Sequence, residues 1–143
     1  LTALAEAWLA LGDAQQAVSL LGEALARQEK GDDILAKAFT HFYLAKAYHV
    51  LNEPEKSLAE LTQVYPFRQV PVLVALAAEA AWISADNYLK QSRFDFARTA
   101  LRDVLDLAPK HMTELRRAAE RLLSAIEQGD YDTITDNIAA YER

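Results

Sequence analysis

Three short turn segments, Leu11-Gly12-Asp13, Leu51-Asn52-Glu53 and Gln91-Ser92-Arg93, stand forty residues apart, each between two stretches with apolar residues at helical spacing. Such a period restricts a chain to architectures made of one repeated supersecondary unit, because each unit leaves an apolar face that its neighbour must cover. The columns around the turns repeat as well. Counted from the central turn residue, Leu4-Ala5, Leu44-Ala45 and Ser84-Ala85 begin eight positions before, and Trp8, Tyr48 and Tyr88 stand four before. Ala17, Ser57 and Ala97 stand five after, and Leu21, Leu61 and Leu101 nine after. The expected fold is all-α, a stack of helical hairpins.

Composition agrees with that reading. With 52% apolar residues, four glycines and four prolines in 143 residues, the chain suits one helical domain with a sizeable core, residues 1–143. The formal charge of −6 argues against direct nucleic-acid contact, since phosphate neutralisation needs clustered Lys and Arg. No cysteine is present, so neither a disulfide framework nor a thiolate site is available, and a cytoplasmic setting fits. The most apolar run, Val70 to Ile83, is short for a bilayer and carries Pro71 and Glu79, which marks it as a buried helix; no membrane partner is expected. The helical pattern is already under way at Leu1, without a signal-peptide pattern, as in a fragment of a longer protein.

Gly, Pro, Asn, Asp and Ser punctuation divides the chain into helices expected near 1–11, 14–28, 33–51, 54–65, 71–91, 94–107, 110–128 and 131–142. They pair into repeats of about 1–30, 33–68, 71–108 and 110–143. Asp13 is placed to cap the helix after it, Ser92 to do likewise, and Pro54 and Pro71 suit first-turn positions. Asp32-Asp33 stand at a helix start, where negative charge meets the positive end of the dipole. Gly22, mid-helix, is expected to mark a close helix approach. The fourth unit keeps the pattern in degraded form, with Gly129-Asp130-Tyr131 at the turn and Ile134 and Ile138 after it.

These columns resemble the tetratricopeptide repeat (TPR), in which a small residue and an aromatic in the first helix pack beside a small residue opening the second. Here Ala5, Ala45 and Ala85, then Trp8, Tyr48 and Tyr88, then Ala17, Ser57 and Ala97 fill those roles. The closing proline occurs once, as Pro109, with Glu29 and Gln69 at the corresponding places of the first two units. The resemblance implies a right-handed α-α superhelix, a TPR-like solenoid of about four helix-turn-helix repeats. The usual unit is about 34 residues, and the longer spacing here is similar to the arrays of bacterial maltose-regulator-type transcription activators. It implies a regulatory interaction module, in which first helices line a concave face.

On that face Phe39, Phe42, Lys46 and His49 fall on one side of one helix, three, four and three residues apart. Forty residues away stand Glu6 and Leu9 on one side, and Glu79, Trp82, Asp86 and Leu89 on the other. Glu6, Phe42, Lys46, His49, Trp82, Asp86 and Leu89 are therefore the candidate partner-binding residues for a protein or peptide, aromatic anchors among alternating charges. The same positions also fit a second role, with the aromatics as core and Glu6, Lys46 and Asp86 as a weak ion network. The Lys and Asn clamp by which chaperone-binding TPR proteins hold a terminal carboxylate does not occur at these positions.

Candidate chemistry is sparse. His41 and His49 lack a carboxylate at four-residue spacing for a metal site, and Asp130, Asp132 and Asp136 lack the glycine and ligand pattern of a calcium loop. No phosphate-binding glycine loop, serine elbow or cysteine nucleophile occurs, so neither catalysis nor a cofactor is expected. Ile134, Ile138 and Tyr141, at four- and three-residue spacing, form the candidate self-association face of a homodimer, and Leu1, Leu4 and Trp8 lack an upstream partner. The expected function is thus a non-enzymatic interaction module. The alternatives are an effector sensor that pockets a small ligand such as a sugar, or a self-association segment.

Overall fold

A computed structural model describes residues 2–129 of the chain. Among these residues there is no strand, and seven α-helices follow one another: α1 (Thr2–Ala10), α2 (Ala14–Gln28), α3 (Ile34–Val50), α4 (Pro54–Leu61), α5 (Val74–Lys90), α6 (Phe94–Leu107) and α7 (Thr113–Gln128). The fold is all-α. The chain divides into two compact units, Leu1–Phe67 and Arg68–Arg143, so that α1 to α4 belong to the first and α5 to α7 to the second. The helix expected at 131–142, with Ile134, Ile138 and Tyr141, lies outside the described residues.

The forty-residue period is present in the backbone itself. Gly12, Asn52 and Ser92 have φ of 87°, 60° and 58°, the left-handed conformation that ends a helix. Each turn is closed by the same pair of hydrogen bonds. Asp13, Glu53 and Arg93 donate to the carbonyls of Trp8, Tyr48 and Tyr88 at 2.8, 2.9 and 2.8 Å, and Gly12, Asn52 and Ser92 to those of Leu9, His49 and Leu89 at 3.1, 3.1 and 3.0 Å. This Schellman closure satisfies carbonyls that the helix end leaves open. The residue that completes it also begins the next helix, and the Asp13 carboxylate accepts from the Gln16 N–H at 3.0 Å. Ser92, expected to cap α6, instead occupies the left-handed position; Arg93 is the N-cap and makes no side-chain cap bond.

The side-chain columns share an environment as well as a spacing. Ala5, Ala45 and Ala85 are buried, and so are Ala17, Ser57 and Ala97, and Leu21, Leu61 and Leu101. Small residues at facing positions let the paired helices approach, and each buried leucine then contributes about 1.5–3 kcal/mol. Ser57, the polar exception, donates to the Ala45 carbonyl at 2.8 Å, so its hydroxyl is satisfied in the α3–α4 contact. In the first unit Leu44 and Ala47 of α3 pack with Ala5, Ala14, Ala17 and Leu21 of α1 and α2. Thr40 ties the α2–α3 junction by donating to the Gln28 side-chain carbonyl at 2.8 Å, and Asp33 caps α3 through the Ala36 N–H at 3.0 Å.

In the second unit α6 packs against both α5 and α7, around Trp82, Leu101, Val104, Leu115, Ala119 and Leu122. Arg116 of α7 donates to the carbonyls of Leu105 and Ala108 at 2.8 and 2.9 Å, closing the open end of α6. Three helix bounds differ from expectation by three residues or more, the end of α4 and the starts of α5 and α7. The last turn of α4 tightens into three-residue hydrogen bonds at Gln63 and Val64, and short 3-10 turns at Tyr65–Phe67 and Pro71–Leu73 follow, because Pro66 and Pro71 supply no N–H. Met112 bonds to the Pro109 carbonyl at 3.0 Å, so α7 starts at Thr113, later than 110. The helical run 71–90 exceeds the apolar stretch noted above and is long and apolar enough to cross a membrane by length and composition, but half of that window is buried inside the protein. Gly22 is exposed, and a Cβ added there meets nothing within 4 Å. It marks no close approach.

Candidate partner-binding face

In the first unit the candidate residues sit on α1 and α3. Helical spacing turns Phe42 inward beside the buried Ala38 and Ala45, and its ring is 2% exposed. One turn later Lys46 is half-buried with its ammonium 5.6 Å from the Phe42 ring centroid and 6.0 Å from that of Tyr43. Those two rings meet edge to face at 5.4 Å. Lys46 therefore lies on an aromatic shelf, an interaction worth about 0.5–1 kcal/mol where exposed and more where water is excluded. Among the described residues no carboxylate pairs with it. Phe39 and His49, half-buried, complete the same stripe, and Glu6 is exposed on α1.

In the second unit Trp82 and Asp86 lie inside, 5% and 2% exposed, and Leu89 is half-buried. Trp82 belongs to the core shared by α5, α6 and α7, with Leu89 packed against it. Lys90, one turn on in the same helix, places its ammonium 3.6 Å from the Asp86 Oδ2. Phe42 and Trp82 thus take the core role that the sequence left open, while Lys46, His49, Leu89 and Glu6 retain accessible surface. A ligand at the α3 stripe of the first unit would meet charge and ring edges rather than whole aromatic faces.

Three arrangements escaped the sequence reading. Tyr43, three residues before Lys46, completes the shelf, and that spacing was visible. His41 Nδ1 meets Glu60 Oε2 at 2.6 Å, a half-buried link between α3 and α4. Nineteen residues separate the pair, so only the antiparallel α3–α4 register brings them together. In the second unit the Arg93 guanidinium lies 4.3 Å from the Phe96 ring centroid and 5.3 Å from that of Tyr88. Elsewhere, burial pushes the Asp103 carboxyl above the usual carboxylate range, neighbouring Asp106 adds to the rise, and Arg68 opposes it. Among the described residues no three His, Asp or Glu side chains converge as a metal site would require. No family model matches the chain, and no curated protein matches it.

Proposed function

We propose that the chain is a TPR-type interaction module, a right-handed solenoid of helix-turn-helix repeats that binds a protein or peptide through the α3 stripe. The observation that carries the repeat reading is the identical Schellman closure at Gly12, Asn52 and Ser92, with the small and leucine columns buried around each. Support for a peptide partner comes from Lys46. An ammonium held on two rings, half-buried and without a carboxylate partner among the described residues, is preorganised to receive an acidic side chain, and partial burial strengthens that contact. The role in a bacterial regulatory protein rests on the long-repeat resemblance alone.

The test is a selection from a displayed random-peptide library against the purified chain. Enriched peptides should carry Asp or Glu at a fixed place and bind Lys46→Ala at least tenfold more weakly, while Lys56→Ala, on exposed surface elsewhere, binds normally. Absence of enrichment, or equal affinity for the Lys46 variant, would sink the peptide reading.

A further inference from the structure

The third turn breaks a pattern of charge that the other two share. At the residue that completes the Schellman closure and opens the second helix stand Asp13, Glu53 and Arg93. An acidic side chain suits that place because it meets the positive end of the helix dipole, and Asp13 caps α2 there through the Gln16 N–H. Arg93 carries the opposite charge and makes no cap bond. Three residues later the exposed, polar Gln16 and Lys56 give way to Phe96, an aromatic that is 51% exposed. Both changes are locally unfavourable and both fall at one spot, as they do where a surface serves an interaction rather than the fold.

The Arg93 guanidinium lies 4.3 Å from the Phe96 ring centroid and 5.3 Å from that of Tyr88, and the two rings stand 5.3 Å apart at a tilt of 30°. A planar guanidinium held against rings keeps its N–H edge for a ligand and loses little freedom on binding one. Among the described residues that edge meets the Gln91 side-chain carbonyl at 3.4 Å and no carboxylate. Asp95, 92% exposed, turns to Arg98 at 3.7 Å instead. The second turn supplies the contrast. There the cation over the aromatic column is Lys56, 5.7 Å from the Tyr48 ring centroid, and Glu53 Oε1 sits 3.4 Å from its ammonium. The third turn has the ring and the cation without the carboxylate.

We infer that the stack of Tyr88, Arg93 and Phe96 docks a segment of a partner protein that presents an acidic side chain with an apolar one beside it. The carboxylate accepts from the guanidinium edge, as Glu53 accepts from Lys56 within the chain, and the apolar neighbour covers the exposed part of the Phe96 ring. A net charge of −6 and the exposed Asp95 oppose a polyanion such as nucleic acid, so a single carboxylate is the fitting charge. The site lies in the second unit and uses no residue of the α3 stripe, so either can fail without the other.

A displayed random-peptide library selected on the chain carrying Lys46→Ala tests it, with the affinities of enriched peptides measured by fluorescence anisotropy. These peptides should carry Asp or Glu beside an apolar residue at a fixed place and bind about tenfold more weakly after a further Arg93→Ala. Arg93→Lys should weaken them too, because an ammonium neither stacks flat nor forks, and so should Phe96→Ala. Arg117→Ala, at an exposed cation of α7, should bind normally. Circular dichroism should show unchanged helix content in every variant. A selection without enrichment overturns the inference. So do enriched peptides without an acidic residue, or an affinity left unchanged by Arg93→Ala or Arg93→Lys. Displacement of the peptides by a single-stranded oligonucleotide would assign the stack to nucleic acid and overturn it as well.

Discussion

At Gly22 the helix α2 carries a residue that costs helix stability and gains nothing in packing, because the space where a Cβ would stand is open. Gly22→Ala is therefore expected to raise stability by about 0.5–1 kcal/mol in urea unfolding. Gly12 presents equally open space but a φ of 87°, so Gly12→Ala should lower stability by about 1 kcal/mol through backbone strain alone. The pair separates space from conformation: equal effects of the two substitutions would contradict the account of the turns. Asp103 gives a pH test. A carboxyl whose folded pKa is raised binds its proton more readily in the folded state, so its ionisation disfavours folding above that pKa, and the penalty fades as pH falls through it. Asp103→Asn should accordingly stabilise at pH 7, with the gain over the unchanged chain disappearing below the ordinary carboxylate range. A gain that persists or grows in acid would show that the ionised carboxylate is not the cause.

Among the helices, two polar ties hold neighbours together, Ser57 between α3 and α4 and Arg116 between α6 and α7. Ser57 stands where Ala17 and Ala97 stand and hydrogen-bonds to Ala45, so Ser57→Ala removes the bond while keeping a residue that the other hairpins already accommodate. Its expected cost is no more than about 1 kcal/mol. Arg116 is different, since it covers both the Leu105 and Ala108 carbonyls at the end of α6, and Arg116→Ala should cost about 1–3 kcal/mol. Thermal unfolding of both variants checks the order; a Ser57 variant weaker than the Arg116 variant would reverse it. The helix bounds show what local sequence supports. Starts at Ala14, Pro54 and Phe94 followed from the turn column, whereas the early end of α4 depended on how the segment through Pro66 and Pro71 closed its hydrogen bonds.

For the molecule as a whole, the leucine column ties the helices of each hairpin into a core. Leu21 and Leu101 are both fully buried, one in each unit, and either Leu→Ala substitution should cost about 2–5 kcal/mol in chemical unfolding. A loss below 1 kcal/mol at either would mean that the column does not hold the core. Surface charge at the candidate face behaves otherwise. Lys46→Ala removes a contact with two rings, and its effect on stability should stay within about 1 kcal/mol.

The sequence by itself determined the all-helical class, the three turns and the residues buried around them. Those depend on interactions within a dozen positions, which recur whenever the same residues recur at the same spacing. It also singled out Lys46. Tertiary structure decided what a shared helix face leaves undetermined, namely how deep each side chain lies. Phe42 shares the α3 stripe with Lys46 yet is enclosed, and Leu4 is half exposed although its counterpart Leu44 is buried. Identical local patterns thus receive different environments, because burial depends on which helix packs alongside, and the pattern of one helix carries no record of its neighbour.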